Sequence, residues 1–257
     1  KVFVEDREDM YGIDTTILMN PNVWVASGHV DTFNDPMFEC SNCKNRYRAD
    51  HLVEEEIEKT NNSPSPKQFM ELDGSLDTLR ENKRMLDIHC PNCGVDALEA
   101  KVFNLLFKTS TGSVEDDKSV VYMRGETAQG MFVNFKNVVD SFYPDLPFGL
   151  AQIGRNFRNE ISPRDFIFRV REFEIAELEY FIEEKDWEKM FEGWVHGMLA
   201  WFELLGLPKE KIRQLEVGEE DRAHYSKRTV DFEFEYPFGT KEIGGLAYRT
   251  DFDLKNH

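Results

Sequence analysis

The chain has 257 residues, of which 40% are hydrophobic and 13% aromatic, enough to bury a sizeable core as one large domain or one domain with an insert. Asp and Glu number 49 against 31 Lys and Arg, and this net charge of −18 argues against wholesale electrostatic binding of nucleic acid. No apolar run reaches the length of a membrane span, and the charged first residues, 1–11, are unlike a signal peptide. We therefore expect a cytoplasmic protein with no membrane contact.

The first hundred residues change character once. Residues 10–24 have the pattern of a strand and turn, and Gly28 and Pro36 bracket a predicted loop. From about Glu39 to Glu99 the chain is polar, carries all four cysteines and includes a loop-like run at 60–66. This segment, 39–99, is predicted to be an insert.

Beyond the insert, two apolar stripes with helical spacing predict core-facing helices at 126–142 and 187–202. Residues 148–160 and 166–180 predict two long strands joined by a short hairpin-like connection, and 228–236 alternates as another strand. Long antiparallel strands interleaved with amphipathic helices indicate an α+β domain.

The four cysteines form two CxxC motifs, Cys40 with Cys43 and Cys90 with Cys93. Each motif is able to place two thiolates on one tetrahedral metal ion. Two disulfides or free buried thiols are the alternative, although nothing else in the sequence indicates an oxidising compartment. His89 is a competing ligand, but four cysteines already complete the site. The pattern predicts one structural zinc ion with no open position for substrate.

The two long predicted strands carry charged and aromatic side chains on common faces. The side-chain period of two places Arg158 and Glu160 on one face. The residues that share a face of the returning strand are Arg169, Arg171, Phe173 and Glu177. Such a sheet suits a phosphate, a flat base and an ammonium group. Cross-strand salt bridges on a solvated sheet are the alternative that spacing alone leaves open.

Two segments, 157–160 and 168–174, resemble motif 2 of the class II aminoacyl-tRNA synthetases. Other segments resemble the homodimeric glycyl-tRNA synthetases, in that family's order and over nearly the whole chain. They are Trp24–His29, Phe33–Pro36, Arg46–Asp50, Phe103–Phe107, Arg124–Gly130, Ala223–Ser226 and Arg249–Leu254. The resemblance implies a class II antiparallel sheet flanked by helices, with a zinc-knuckle insert at 39–99.

The sequence also departs from that family's pattern. Its motif 1 helix is expected before Lys1, and its motif 3 and anticodon-binding domain are expected after His257. Residues 1–257 are therefore expected to be a partial catalytic domain, truncated at both ends and a poor enzyme in isolation. Gly125 stands where the family has proline, and 244–248 is a looser match than its neighbours.

The resemblance implies ATP-dependent activation of glycine to glycyl-adenylate and transfer to tRNA(Gly) by a homodimer that uses Mg²⁺. The implied catalytic residues are Arg158 and Glu160. The implied ATP-binding residues are Arg158, Asn159, Glu160, Phe168, Arg169, Val170, Arg171, Glu172, Phe173, Glu242 and Ile243. The implied glycine-binding residues are Arg48, Glu126, Phe173, Glu174, Ile175, Ala176, Glu177 and Arg249.

Individual roles follow from the same resemblance. Arg158 would hold the α-phosphate and the glycine carboxylate, Glu160 would bind the adenine amino group, and Phe173 would stack under adenine. Glu242 is a candidate Mg²⁺ ligand because its oxygens are hard donors. Arg164, at the tip of the loop within motif 2, would approach the acceptor end of tRNA.

Two other functions remain open from the sequence. One is a synthetase-like protein that keeps the fold but does not aminoacylate tRNA. The other is a nucleic-acid-binding zinc ribbon with the rest of the chain as scaffold, against which the net charge and the acidic run at 54–56 both count.

Overall fold

The structure, a computed structural model, describes residues 1–63, 67–70, 75–114, 116–161, 163 and 166–257. The strands are β1 (Met10–Gly12), β2 (Leu18–Met19), β3 (Asn34–Cys40), β4 (Arg46–Arg48), β5 (Leu98–Asn104), β6 (Phe107–Ser110), β7 (Val120–Met123), β8 (Phe148–Phe157), β9 (Glu172–Phe181), β10 (Ile212–Glu216), β11 (Arg228–Tyr236) and β12 (Gly239–Tyr248). The helices are α1 (Pro21–Ala26), α2 (His29–Thr32), α3 (Ala49–Asn61), α4 (Leu76–Leu86), α5 (Ala128–Phe142), α6 (Trp187–Leu204) and α7 (Phe252–Asn256). Within the described ranges, no helix is both long enough and apolar enough to span a bilayer.

The chain divides into two compact units. The first comprises Lys1–Thr15, Ala128–Gln152 and Ala176–His257, and the second comprises Thr16–Thr127 and Ile153–Ile175. Strands β8 and β9 each contribute residues to both units.

The second unit contains two antiparallel three-stranded sheets, ordered β4-β3-β5 and β2-β7-β6. Strands β3 and β5 pair along their whole length, and Glu39 lies opposite Glu99 in the register. The two ends of the predicted insert therefore meet across one sheet. Helices α3 and α4 pack on this sheet through a core that includes the fully buried Phe38, Val53 and Leu79.

The first unit has two sheets, ordered β1-β8-β9 and β10-β11-β12. Strand β1 runs parallel to β8, whereas β11 is antiparallel to both its neighbours. Helix α5 packs on the first sheet and α6 on the second, each through an apolar stripe. Gly130 lies so near Thr15 that a Cβ there would be 2.1 Å from the Thr15 hydroxyl oxygen, so this turn of α5 accepts no side chain.

Most predicted elements are confirmed, since α5, α6 and β11 coincide with the periodic segments. The strand and turn predicted at 10–24 is wrong in part, because Asn20 caps a helix that begins at Pro21. The loop predicted between Gly28 and Pro36 is also wrong, because α2 and the start of β3 occupy it.

The two long strands are shorter than predicted. Strand β8 ends at Phe157 and β9 begins at Glu172. The backbone amide of Phe157 donates to the carbonyl of Arg124, and that of Asn159 donates to the carbonyl of Leu105. These bonds to other segments replace a regular ladder at the end of β8. Residues 162, 164 and 165 of the predicted connection, Arg164 among them, lie outside the described residues.

Candidate active site and cysteine cluster

The segment 157–160 is fixed through its backbone. Arg158 forms an isolated bridge with Leu106, and its amide donates to the carbonyl of Arg171 at 3.0 Å. The guanidinium of Arg171 donates in turn to the carbonyl oxygen of Glu160, through Nε at 3.2 Å and Nη2 at 3.0 Å. Arg171 therefore stabilises the conformation in which Arg158 and Glu160 are presented.

The guanidinium of Arg158 lies between two aromatic rings. Its central carbon is 5.1 Å from the ring centroid of Phe33 and 5.3 Å from that of Phe173, and Nε donates to the carbonyl of Gly125 at 3.3 Å. Two ring faces at this distance stabilise the cation and restrict its rotation without neutralising it. The charge of Arg158 therefore remains available to an anion.

Glu160 has a buried carboxylate. Its side chain is only 11% exposed, and its Oε2 has no hydrogen-bond donor within the described part of the chain. Among the described residues, the nearest cation is Arg169, whose Nε is 4.0 Å from Oε2, beyond hydrogen-bonding distance. A buried acceptor without a donor costs about 1–3 kcal/mol. This oxygen is suited to accept a hydrogen bond from a bound molecule.

The remaining motif 2 residues differ in their surroundings. Nη1 of Arg169 also lies 3.5 Å from Nε2 of the His51 ring. Glu172 is exposed and forms an ion pair with Arg155. Along β9 the half-buried Phe173, Ile175 and Glu177 alternate with exposed positions, which are Glu172, Glu174 and Ala176. Asn159 and Val170 are half-buried, whereas Phe168 is exposed.

Two predicted glycine-site residues of the second unit, Arg48 and Glu126, have different partners. Arg48 pairs with two carboxylates, Asp35 at 2.5 Å and Asp50. Burial raises the pKa of Asp35 more than the Arg48 guanidinium lowers it. Arg48 is therefore occupied within its own unit. The Glu126 side chain is 15% exposed and lies 3.4 Å from the ring Nε2 of His29.

Glu242 and Ile243 lie in the first unit at an irregularity of β12. The register pairs Phe232 with Gly244 and Glu233 with Glu242, which leaves Ile243 as the extra residue of a β-bulge. Ile243 packs against the core beneath α6, whereas Glu242 is exposed. The register therefore pairs the exposed Glu242 with the half-buried Glu233 across the two strands.

Arg249 follows β12 in the first unit and is largely buried. Its Nε and Nη2 donate to the carboxylate of Asp253 at 2.7 and 3.0 Å. Its guanidinium carbon lies 3.7 Å from the ring centroid of Tyr225 and 5.2 Å from that of Phe132. Burial lowers the pKa of Arg249, but Asp253 and Glu179 outweigh burial and raise it. The structure thus gives this arginine one fixed orientation.

The four cysteines converge. Their sulfur atoms all lie within 4.8 Å of one another, with Cys40 Sγ 3.7 Å from Cys93 Sγ and Cys43 Sγ 3.6 Å from Cys90 Sγ. These thiols are free rather than joined in disulfides. A tetrahedral zinc ion with bonds of about 2.3 Å separates its sulfur ligands by about 3.8 Å. Two of the sulfur pairs therefore have the separation expected for such an ion, and all four sulfurs lie close enough together to share one.

The two CxxC motifs, Cys40–Cys43 and Cys90–Cys93, are called knuckles here, and both have the same backbone turn. Lys44 donates to the carbonyl of Cys40 and Gly94 to that of Cys90, both at 2.8 Å, and both donors have left-handed φ angles, 61° and 70°. Burial raises the pKa of Cys90, but hydrogen bonds from Tyr47 and from knuckle amides outweigh it and lower the pKa to about 6.

The thiol of Cys40 differs from that of Cys90. Amides of its own knuckle lower its pKa, but burial and the neighbouring thiols Cys43 and Cys90 raise it to about 11. Four sulfurs this close therefore do not all ionise unless a cation joins them.

The comparison with sequence families decides where this chain belongs. The family described as the tRNA synthetase class II core domain (G, H, P, S and T) matches residues 107–252, more than half of the chain. The chain belongs to this family. Its fold is accordingly a class II synthetase core of mixed helices and antiparallel sheets.

Curated relatives match over the whole chain. A glycine–tRNA ligase of Bacillus cereus is 44% identical over 259 residues, and that of Acetivibrio thermocellus is 46% identical over 259 residues. Each alignment covers 100% of this chain and 55% of the relative, so the chain spans about half the length of these proteins. The solved Giardia lamblia prolyl-tRNA synthetase in complex with prolyl-adenylate is 18% identical, has a TM-score of 0.50 and covers 59% of this chain and 30% of that one. This likeness shows the fold alone.

Three residues near the class II segments were not predicted as site residues. Phe33 contacts the guanidinium of Arg158, His29 lies beside Glu126, and Ser27 contacts the ring of His29. All three fall in segments on which the family resemblance rests, 24–29 and 33–36. Their inclusion in those segments was the available indication, but their contacts required the folded structure.

Proposed function

We propose that the protein is a glycine–tRNA ligase. It would join glycine to ATP as glycyl-adenylate and then transfer the glycyl group to tRNA(Gly). The observation that carries this proposal is the 44–46% identity to glycine–tRNA ligases along the entire chain. The match of residues 107–252 to the class II core domain agrees with it.

Activation is an in-line displacement. A carboxylate oxygen of glycine forms a bond to the α-phosphorus of ATP, the bond from that phosphorus to the bridging oxygen breaks, and pyrophosphate leaves. No side-chain nucleophile is required, so catalysis consists of positioning and charge stabilisation. In the second step a terminal ribose hydroxyl of tRNA attacks the adenylate carbonyl and AMP leaves.

Arg158 and Glu160 are the proposed catalytic residues. Arg158 would contact the α-phosphate and the glycine carboxylate, which its unneutralised guanidinium and aromatic contacts support. Glu160 would accept a hydrogen bond from the adenine amino group, a role supported by its buried Oε2, which has no donor among the described residues. Phe173 would stack on adenine. Asn159, Phe168, Arg169, Val170, Arg171, Glu172 and Ile243 are proposed to complete the ATP site.

Glycine offers an ammonium and a carboxylate but no side chain. We propose that Glu126 and Glu177 recognise the ammonium, because carboxylates complement it, and that Arg249 is a further glycine-binding residue. Selectivity then depends on a pocket too small for any side chain, since one methylene alone is discriminated weakly. Arg48, Phe173, Glu174, Ile175 and Ala176 are the remaining proposed glycine-site residues, with Arg48 acting through Asp35 and Asp50.

Two metal ions belong to the proposal. Glu242 would contribute to a Mg²⁺ site, because its exposed carboxylate offers the hard oxygen ligands that Mg²⁺ prefers. Mg²⁺ would supply charge neutralisation for the phosphates. Cys40, Cys43, Cys90 and Cys93 would hold a structural zinc ion, which takes no part in the reaction. We propose that residues 39–99 form an inserted zinc-binding subdomain.

The remaining proposals concern assembly and tRNA. We propose a cytoplasmic homodimer, as the family resemblance implies, with oligomeric state measured by light scattering. Arg164 is proposed to approach the acceptor end of tRNA, but it lies outside the described residues, so the structure adds no support.

Glycine-dependent ATP–pyrophosphate exchange and tRNA(Gly) aminoacylation, measured on the full-length protein, test the proposal. We expect exchange with glycine and none with alanine or serine at the same concentration. Exchange with glycine but no charging of tRNA would contradict the second step. No exchange with glycine, alanine or serine would favour a synthetase-like protein that only binds nucleotide.

A further inference from the structure

The turn between α1 and α2 brings the side chains of Ser27 and His29 together near Glu126. Gly28 has a left-handed φ of 82°, which reverses the chain between Ser27 and His29. As a result, Ser27 Oγ lies 2.8 Å from His29 Nδ1. Ser27 is 1% exposed and thus too buried to act on a substrate. Its contact with His29 therefore serves the protein itself.

The imidazole of His29 has a fixed orientation. Trp24 packs edge-on at 5.2 Å between ring centroids, and Phe33 lies at 5.3 Å on another side. Asn104 Nδ2 donates to the carbonyl of His29 at 3.2 Å and so holds the backbone. Thus held, the ring presents Nε2 to the carboxylate of Glu126 at 3.4 Å.

The contacts of the ring with Ser27 and with Glu126 together favour a hydrogen on Nε2. When Ser27 donates to Nδ1, the neutral ring has its hydrogen on Nε2. When the ring is protonated, Nδ1 donates to Ser27, whose hydroxyl donates onward to the carbonyl of Trp24 at 3.3 Å. Both of these states place an N–H on Nε2, which lies 3.4 Å from Glu126 Oε2. A neutral ring with its hydrogen on Nδ1 would instead turn a bare Nε2 acceptor towards a carboxylate, which is unfavourable. The ring therefore orients the carboxylate in the two favoured states.

We infer that His29 is a positioning residue that orients Glu126 towards the ammonium of glycine, and that Ser27 holds the His29 ring in place through Nδ1. This inference rests on the proposed function. Because glycine has no side chain, its recognition depends on few groups, and a misplaced carboxylate is not compensated by other contacts. A group that fixes Glu126 then affects glycine binding more than ATP binding.

The ring of His29 also contacts Phe33, which packs against Arg158, so the test must separate loss of the ring from loss of its N–H. His29→Phe keeps an aromatic ring between Trp24 and Phe33 but removes both nitrogens. His29→Gln removes the ring but retains an N–H donor near the position of Nε2. The two variants therefore separate the two roles.

Pyrophosphate exchange by the full-length protein gives KM for glycine, KM for ATP and kcat, and thermal unfolding gives Tm. We expect His29→Phe to raise KM for glycine about tenfold, the scale of one hydrogen bond to a charged group. Its KM for ATP should stay within about twofold of wild type. His29→Gln should recover to within about threefold for glycine, and Ser27→Ala should fall between the two.

A double-mutant cycle with Glu126→Gln completes the test. If His29 acts through Glu126, His29→Phe has little further effect on KM for glycine in the Glu126→Gln background. Fully additive effects would overturn the inference. So would a normal KM for glycine in His29→Phe, or equal rises in both KM values with a lowered Tm. Wild-type protein without glycine-dependent exchange would instead overturn the proposed function, and this inference with it.

Discussion

Replacing one ligand of the cysteine cluster tests the zinc proposal most directly. The cluster joins positions far apart in the chain, since Cys43 and Cys90 are 47 residues apart. Helices α3 and α4 lie between the two knuckles. The Cys40→Ser variant keeps the fold of the knuckle but removes one thiolate, and the remaining three sulfurs bind zinc more weakly. The bridge between the two knuckles is then weakened.

The size of the effect follows from the length of the closed loop. A cross-link that closes a loop of this length restricts the unfolded chain by about 4 kcal/mol in the chain-entropy treatment. Phe38, Val53 and Leu79 stay fully buried in the adjacent core, and each contributes about 1.5–3 kcal/mol by burial. We therefore expect destabilisation of up to about 4 kcal/mol, with the helices retained at 25 °C, rather than complete unfolding.

Three measurements check this expectation. Metal analysis of protein purified without chelator should give about one zinc per wild-type chain and less in Cys40→Ser. Calorimetry should show a lower Tm for the variant, and circular dichroism should show unchanged helix content below it. Ser41→Ala is the matched control, because it alters the same knuckle but keeps all four thiols. Wild-type protein without zinc, or Cys40→Ser with the zinc content and Tm of the control, would refute the reasoning.

Three further predictions address Arg158, Glu242 and the ion pair of Arg7 with Asp9. Arg158→Lys should lower the exchange rate by about a hundredfold or more, because one ammonium does not replace a planar guanidinium between two rings, and a loss of only a few-fold would contradict its role. Glu242→Gln should raise the Mg²⁺ concentration for half-maximal exchange while sparing KM for glycine, and an unchanged Mg²⁺ titration would count against a metal ligand there. The hydrogen bond from Arg7, assisted by Tyr180 and opposed by burial, lowers the pKa of Asp9. Its stabilisation is thus complete above the unfolded pKa of about 3.9 and lost as pH falls through the lower folded value. The Tm deficit of Asp9→Asn at pH 7 should therefore shrink in strongly acidic buffer, and a deficit independent of pH would show that the charge is unimportant.

The sequence predicts best the elements that depend on local periodicity. The stripes of α5 and α6 fill one face of each helix, so their spacing suffices. Helix α1 was missed although Asn20 and Pro21 provide a cap and a first-turn proline, because six residues are too few to show a stripe. The ends of β8 and β9 depend on hydrogen bonds to residues remote in sequence, which no local pattern contains.

The properties of the candidate site were likewise predictable only in part. Residue types in the motif 2 segments identify which side chains bear charge, but not which charges are already paired. Arg171 donates to a carbonyl and Arg249 to Asp253, so both hold backbone or side chains in place. Arg171 lies 11 residues from Glu160 in the sequence, and Arg249 lies four residues from Asp253. Spacing alone did not distinguish such arginines from Arg158.

This distinction determines where an anion binds in a chain of net charge −18. A guanidinium already paired with a carboxylate offers a phosphate little net attraction, as for Arg48 with Asp35 and Asp50. Arg158 is held instead by two ring faces and one carbonyl, which orient the cation but cancel none of its charge. Aromatic contacts thus preorganise a cation without neutralising it, as stabilisation of charge in a transition state requires. Under the proposed function, an acidic protein would thereby hold a triphosphate at one local site although its net charge repels polyanions.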